Sequence, residues 1–378
     1  MPEPLSICHI ITTTSPGGAE KQLVALAANR PDWQEHAVIC LSPPGELAPA
    51  LEAAGAPVRS LGLRPGPAAL LRGPGLIRGI LARTRPHIVQ TWLYHADLLG
   101  ALGARLAGIK RLIWTVRCAD MDFSRYALST RLVVKACTAL SSWPAAIVAN
   151  SRAGAEWHLA RGYKQKPRLI PNGFDTGLFR PDAAARETVR RELGIPPQAL
   201  AVGRVARLDA MKDYPGLLRA AQEAIQRRPE LFFILAGQGV RAETPELRGW
   251  LEPPLAGRAL LLGPRRDVPR LLNALDLHLS NSLSEGMPNV VGEAMAVGLP
   301  NLVSDAGDSR ELVGETGWVV PAGEPPALAE ALAGIAGLER GELSSRGQAA
   351  RRRIIQRYSL EAMVQAYSEL YRELSGGA

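Results

Sequence analysis

Short apolar runs alternate with longer stretches of helical spacing along this chain. Ser6–Thr12, His36–Ser42, Val58–Leu61, His87–Thr91, Arg111–Val116, Ala145–Asn150 and Arg168–Pro171 are apolar and rich in β-branched residues, which predicts strands. Between them, Ala19–Asn29, Gly45–Ala54, Ala68–Arg83 and Asp97–Ala107 read as helices, the third interrupted by Gly73, Pro74 and Gly75. The alternation restarts after residue 180, with strands expected at Leu200–Val205, Leu231–Ala236, Ala259–Leu262, Leu275–Ser280, Leu299–Val303 and Trp318–Val320. Tyr214–Arg227, Asn289–Val297 and a final Leu360–Leu374 are the clearest helices of this half.

Apolar strands separated by helices predict parallel sheets covered on both faces, an α/β class. Gly, Pro and polar residues cluster at Gly173–Pro181. The expected organisation is therefore two doubly wound, Rossmann-like domains, 1–178 and 179–359, with the C-terminal helix 360–378 rejoining the first. No short repeat is present, which excludes a solenoid. In such sheets ligands bind at the carboxyl ends of the strands, so candidate chemistry is sought there.

The chain has 378 residues, enough for two cores, and its composition is that of a globular protein, 47% hydrophobic and 21% charged. No run of 18 apolar residues suggests a membrane span, and the first residues lack the basic-then-apolar order of a secretion signal. Cys8, Cys40, Cys118 and Cys137 are scattered without metal-ligand spacing and read as reduced, mostly buried thiols of a cytoplasmic protein. The net charge of +8 is uneven: Pro57–Arg117 holds ten basic residues and one acid, Asp97. That stretch is either a solvated surface or a face for anionic membrane or a lipid-phosphate acceptor. Nucleic acid is not expected, because stacking aromatics interleaved with the charges are few.

The most informative segment is Ser284-Glu285-Gly286-Met287-Pro288-Asn289-Val290-Val291-Gly292-Glu293. It follows a predicted strand, Gly286 and Pro288 impose a tight turn, and Asn289 suits the start of a helix. Free backbone N–H groups at such a start favour phosphate or sugar oxygens. Carboxylates at Glu285 and Glu293 are good acceptors for vicinal hydroxyls. Taken singly, each Glu is a surface charge; embedded in an apolar strand–turn–helix passage, neither is well explained that way.

Glu285 and Glu293 are separated by seven residues in the wording SEGMPNVVGEAMAVGLP. This resembles the EX7E segment of the retaining GT-B glycosyltransferases of glycosyltransferase family 4. GGAE at Gly17–Glu20, IPNGFDTGLFRP at Ile170–Pro181, VGRVARLDAMKD at Val202–Asp213 and the passage from Asn301 to Pro325 resemble further parts of the family in the same order. The resemblance implies two Rossmann-like domains facing a cleft and transfer of a sugar from a nucleotide-sugar, a UDP-sugar before a GDP-sugar, to a hydroxyl acceptor. It implies that Arg204 and Lys212 grip the donor diphosphate, that Glu285 contacts the transferred sugar and Glu293 the ribose. Gly286, Met287, Pro288 and Asn289 would line sugar and phosphate. Gly17 and Gly18 would approach the β-phosphate, and Gly263, Arg265 and Arg266 would lie by the base. The two cations would stand in for a metal, so no metal or other cofactor is expected. The acceptor would be a polysaccharide, lipopolysaccharide or lipid-linked intermediate at the inner face of the membrane.

One departure concerns the acceptor side. Many relatives carry a His just after the fourth N-terminal strand; here VQTWLYHADLLG places Trp92 nearest that position and His95 three residues on. Trp92, His95, Asp97 and Arg117 are accordingly the acceptor-side candidates, His95 also as a catalytic group. Two look-alikes carry little weight. Asp120-Met-Asp122 has a cation-binding DxD form in the wrong context, and Gly237-Gln238-Gly239 lacks the third glycine of a dinucleotide loop. Two other functions fit the same architecture: a nucleotide-sugar epimerase and a non-catalytic nucleotide-sugar-binding relative.

Overall fold

The computed structural model describes residues 4–64, 66–119 and 127–376. Two compact units emerge: the chain up to Gly173 together with Leu360 onward, and Phe174–Ser359. In the first, β1 (Leu5–Ile11), β2 (Gln34–Cys40), β3 (Val58–Ser60), β4 (Ile88–Trp92), β5 (Leu112–Val116), β6 (Ala146–Ala149) and β7 (Arg168–Leu169) form a parallel sheet in the order β3-β2-β1-β4-β5-β6-β7. Its helices are α1 (Gly18–Ala28), α2 (Ala48–Ala53), α3 (Pro67–Thr84), α4 (Tyr94–Leu106), α5 (Leu128–Leu140) and α6 (Arg152–Ala160). The second unit contains α7 (Ala183–Glu192), β8 (Leu200–Val205), α8 (Tyr214–Arg227), β9 (Leu231–Ala236), β10 (Ala259–Leu261), α9 (Val268–Asn273), β11 (Leu277–Ser280) and α10 (Asn289–Ala296). It continues through β12 (Asn301–Ser304), α11 (Ser309–Val313), β13 (Trp318–Val320), α12 (Pro325–Ala336) and α13 (Arg340–Arg357). Its sheet is parallel in the order β10-β9-β8-β11-β12-β13. The last helix, α14 (Leu360–Ser375), packs in the core of the first unit beside α1.

The division falls at Gly173–Phe174, ahead of the boundary expected at residue 178, for a packing reason. Gly173 exchanges two backbone–side-chain hydrogen bonds with Gln22 of α1, and a Cβ there would lie 2.8 Å from that of Met363 on α14. The next residue, Phe174, puts its ring 2.1 Å from where a Cβ on Gly292 of α10 would be. Adjacent residues thus belong to different cores.

The break expected inside α3 does not occur, although Pro74 lies within the helix. Gly73 and Pro74 are buried against α4, where a Cβ on Gly103 would come 2.5 Å from Ile77 Cγ2 and one on Gly73 3.1 Å from Leu99 Cδ1. Close packing between the two helices offsets the lost hydrogen bond, which propensity alone does not register. The four cysteines are free; Cys8, Cys40 and Cys137 are buried, and burial raises the Cys8 thiol to about 12.

Candidate functional site

In each sheet the strand order reverses between two neighbours, β1 and β4 in the first unit, β8 and β11 in the second. The carboxyl ends of such a pair open a crevice that connections leave on both sides. Both crevices are lined by residues singled out above, and their chemistry differs.

In the second unit, β8 ends at Val205 and its connection returns through Lys212; β11 ends at Ser280 and leads through Glu285 to α10. The Lys212 ammonium donates to Glu285 Oε1, and both side chains are largely buried. Leu283 N donates to Met211 O at 2.8 Å, so the two connections are tied through backbone as well. Asp213 adopts left-handed geometry, φ 46°, and caps α8 by accepting from Gly216 N at 3.0 Å. This turn fixes the direction in which Lys212 leaves the backbone.

Arg204 does not present itself for a direct grip on a ligand, contrary to expectation. It is 2% exposed. One terminal nitrogen donates to Asn281 Oδ1 and the other to the Lys212 carbonyl, while the guanidinium lies 5.1 Å from the Tyr214 ring centroid. Asn281 in turn donates to Asp213 O at 2.9 Å, and Tyr214 OH to Ala206 O at 2.6 Å. Arg204 is thus the centre of a buried bracket that holds the Lys212 loop. Burial lowers its pKa, opposed by Tyr214, Glu285 and Asp213. Asn281 and Tyr214 were not singled out in the sequence, where they are an ordinary post-strand Asn and a helix-starting Tyr.

The turn after β11 is shaped by a neighbour. Gly307, φ 54°, passes so close that a Cβ would lie 2.3 Å from Glu285 O, and Asp308 N donates to Gly286 O at 2.8 Å. Only glycine meets both the backbone angle and the clearance. Asn289 is the first residue of α10 and Pro288 its N-cap; Met287 and Glu293 are buried beside them. Gly237, in the decoy Gly-Gln-Gly turn, serves packing: a Cβ would fall 1.9 Å from Ala206 O on the β8 connection. At the end of β10, Gly263 takes φ 67°. Arg265 nearby gives Nε and Nη2 to Asp267 at 2.8 and 2.6 Å, so its side chain is held within the connection, and Arg266 is its neighbour there.

The floor of the first unit's crevice is filled by buried aromatic and polar side chains. Trp92, at the end of β4, is fully buried and donates its indole N–H to His9 Nδ1 at 3.2 Å. Because indole only donates, His9 carries its proton on Nε2 and donates to His36 Nδ1 at 3.1 Å. His36 Nε2 then donates to Gln34 Oε1 at 3.1 Å, and Gln34 Nε2 to Ser368 Oγ on α14 at 2.9 Å. Burial depresses both histidines, His36 to about 3. Trp92 is therefore a core residue at the end of a polar chain that fastens α14, not a group facing a ligand.

Asp97 does not face a ligand either. It is fully buried, accepts from Thr91 Oγ1 at 2.5 Å, and has its pKa raised by desolvation. His95 is only half-buried and sits in the first turn of α4, directly after Leu93, whose φ of 71° is strained for a leucine. Arg117 lies 5.4 Å from the Trp92 ring centroid and donates to Asn172 Oδ1 at 2.5 Å. Gly17 is extended and Gly18 opens α1, exposed. A Cβ on Gly17 would meet Glu20 Oε2 at 2.3 Å, so the glycine makes room for this carboxylate; burial lowers the Arg117 pKa, opposed by Tyr367 and Glu20. Glu20 is the overlooked member of GGAE. Asp120 and Asp122 lie outside the described residues. Among the described residues no cluster of His, Cys, Asp or Glu could hold a metal ion.

Residues 16–178 match the sequence profile of Glycosyltransferase Family 4, and residues 196–337 that of Glycosyl transferases group 1. The UDP-Gal:alpha-D-GlcNAc-diphosphoundecaprenol alpha-1,3-galactosyltransferase of Escherichia coli is 28% identical over 239 residues, 62% of this chain and 62% of its own length. The D-inositol 3-phosphate glycosyltransferase of Corynebacterium urealyticum is 28% identical over 78% of this chain and 74% of its own. The crystal structure of Anabaena Alr3699/HepE in complex with UDP and glucose superposes with a TM-score of 0.84, covering 98% of this chain and 100% of that one at 24% identity.

Proposed function

The chain belongs to the GT-B glycosyltransferases of family 4, matched in both of its halves, and on that premise we propose that it moves a sugar from a nucleotide-sugar to a hydroxyl of a glycan or lipid-linked acceptor with retention at the anomeric carbon. The observation that carries this reading is the Lys212–Glu285 pair, held at the β8–β11 crevice beside the start of α10. A cation and a hydroxyl acceptor in contact suit a ligand that joins a diphosphate to a sugar. On binding, the donor phosphate replaces Glu285 as the partner of Lys212, and Glu285 turns its oxygens to the sugar hydroxyls. Lys212 then opposes the charge that grows on the departing diphosphate. The buried Arg204 adds positive potential beneath it and keeps its loop in place. Glu293, one turn into α10, accepts from the ribose hydroxyls.

In the reaction the bond between the anomeric carbon and the phosphate oxygen breaks, and the acceptor oxygen bonds to the same face of that carbon. The acceptor proton passes to the departing phosphate oxygen, so no protein nucleophile and no metal take part. UDP in the similar Anabaena structure, and UDP-Gal and a diphosphoundecaprenol acceptor in the name of the Escherichia coli relative, support a UDP-sugar and a lipid-linked acceptor. Such an acceptor brings the reaction to the cytoplasmic face of a membrane.

The test is a thermal-shift screen against UDP- and GDP-sugars. A ligand bound only by the native state stabilises it by about 2.7 kcal/mol at a hundredfold excess over Kd. We expect UDP-sugars to raise Tm and acceptor-dependent turnover to persist in chelator. A shift with GDP-sugars alone overturns the donor, a new sugar isomer without acceptor points to epimerisation, and no shift with any overturns the reading.

A further inference from the structure

We propose that the outer surface of α3 and α5 in the first unit is a docking face for an anionic lipid bilayer, its leucines entering the headgroup layer and its arginines on lipid phosphates. α3, α4 and α5 contribute to one core cluster on one side of the sheet, while α1 and α14 contribute to another. α4 packs against both α3 and α5. With interaxial steps of 8–10 Å, the two outer helices lie roughly 16–20 Å apart, close enough to meet one surface. Both start after the carboxyl ends of strands, so their first turns lie at the same end of the layer as His95.

Large apolar side chains are exposed at that end. Leu71 on α3 is 83% exposed, and Leu128 and Leu132 on α5 are 69% and 57% exposed. On α5, Leu128, Leu132 and Lys135 recur along one exposed stripe, opposite the buried Val133, Val134 and Cys137. On α3, Leu71 and Arg78 share the outward side, opposite buried Ile77, Ile80 and Leu81. No described residue of the first unit covers these leucines.

Among the described residues of Pro57–Arg117 the exposed charge is of one sign. Arg64 just before α3, Arg72 beside Leu71 and Arg78 two turns on are exposed and form no ion pair among the described residues, and Lys135 lies on the α5 stripe; Arg83, Arg85 and Arg105 extend the basic surface toward the far ends of α3 and α4. The one acid in this stretch, Asp97, is buried. Four arginines of the second unit are paired instead: Arg186, Arg190 and Arg340 converge on Asp276, and Arg310 pairs with Asp305. Uncompensated arginines around exposed leucines are complementary to anionic headgroups over hydrocarbon. A protein interface of this size would be expected to centre on aromatic anchors, and a nucleic-acid face would interleave them with the cations; the exposed stripes carry neither. The docking itself is independent of the reaction, but its use to meet a lipid-linked acceptor rests on the proposed function.

The test is co-sedimentation of the full chain with phosphatidylcholine vesicles with and without phosphatidylglycerol, at low and high salt. Binding is expected only with phosphatidylglycerol and to weaken with salt. Leu71→Glu combined with Leu132→Glu, and separately Arg72→Glu with Arg78→Glu, should each lower vesicle binding roughly tenfold or more. Ile355→Glu, an exposed apolar position on the arginine-rich α13, should leave it unchanged. Unchanged melting and an unchanged nucleotide-sugar shift in all variants separate this result from the fate of the proposed reaction. Equal binding to neutral vesicles, wild-type binding by the leucine variant, or a self-association that the leucine variant abolishes would overturn the proposal.

Discussion

The β8–β11 crevice and the β1–β4 crevice occupy the same position in two similar sheets, yet they are filled with different materials. The first presents a cation and a carboxylate in contact, Lys212 and Glu285, braced from below by Arg204, Asn281 and Tyr214. The second is floored by Trp92, with His9, His36 and Asp97 buried, and among the described residues it carries the half-buried His95, the Arg117 guanidinium over the Trp92 ring and a strained Leu93. Strand order makes the opening; the side chains at the strand ends decide whether it is a charged binding surface or a sealed floor. Under the proposed function, the first would take the diphosphate of the donor and the second would meet the acceptor.

Three experiments can break or sharpen this contrast. The largest effect is expected from Trp92→Ala, which removes a fully buried ring packed 6.2 Å from Tyr367. It should cost about 3–5 kcal/mol of stability in urea unfolding. Lower turnover at unchanged stability would instead return Trp92 to the ligand side. Next, Lys212→Ala should lower kcat by about two to three orders of magnitude, the scale of losing one preorganised charge-stabilising group. Turnover near wild type in steady-state assays would remove Lys212 from the mechanism.

The smallest effect is graded with pH. His9, His36 and His158 of the first unit and His278 of the second are held neutral by burial, with His36 at about 3 and His158 and His278 at about 4, against an ordinary 6.5. Between those values and 6.5 the unfolded chain binds more protons than the folded one, so stability is full above about 6.5 and falls as pH drops. Each such histidine contributes up to about 1.4 kcal/mol per pH unit in that window. The first unit, with more of them, should lose hydrogen-exchange protection faster between neutral pH and pH 5. Equal losses in both units would mean that the buried histidine chain is not a distinguishing feature of the first.

Much of the scaffold was legible in one dimension. Tyr214–Arg227 spans α8, the alternation of strands and helices gives both sheets, and the wording from Glu285 to Glu293 marks the turn and helix that carry Glu285. The acceptor side was not legible, because its candidates were chosen by position after a strand. Whether a residue there faces outward depends on what else reaches the strand end. Trp92 is enclosed by Tyr367 of α14 and by His9, 83 residues away along the chain. Glycines divided in the same way: Gly286 reads as a turn, whereas Gly307 and Gly237 are dictated by backbone of other connections.

By itself the sequence determined the class of fold, the family and the turn and helix that carry Glu285 and Glu293 after β11, since periodicity, turn residues and a seven-residue spacing act between near neighbours. Only the tertiary structure decided that Lys212 meets Glu285 across 73 residues, that Arg204 lies beneath the site, and that Gln34 is joined to Ser368 across 334. Those contacts form when distant segments are brought together, and burial then sets which charges are presented and which are enclosed.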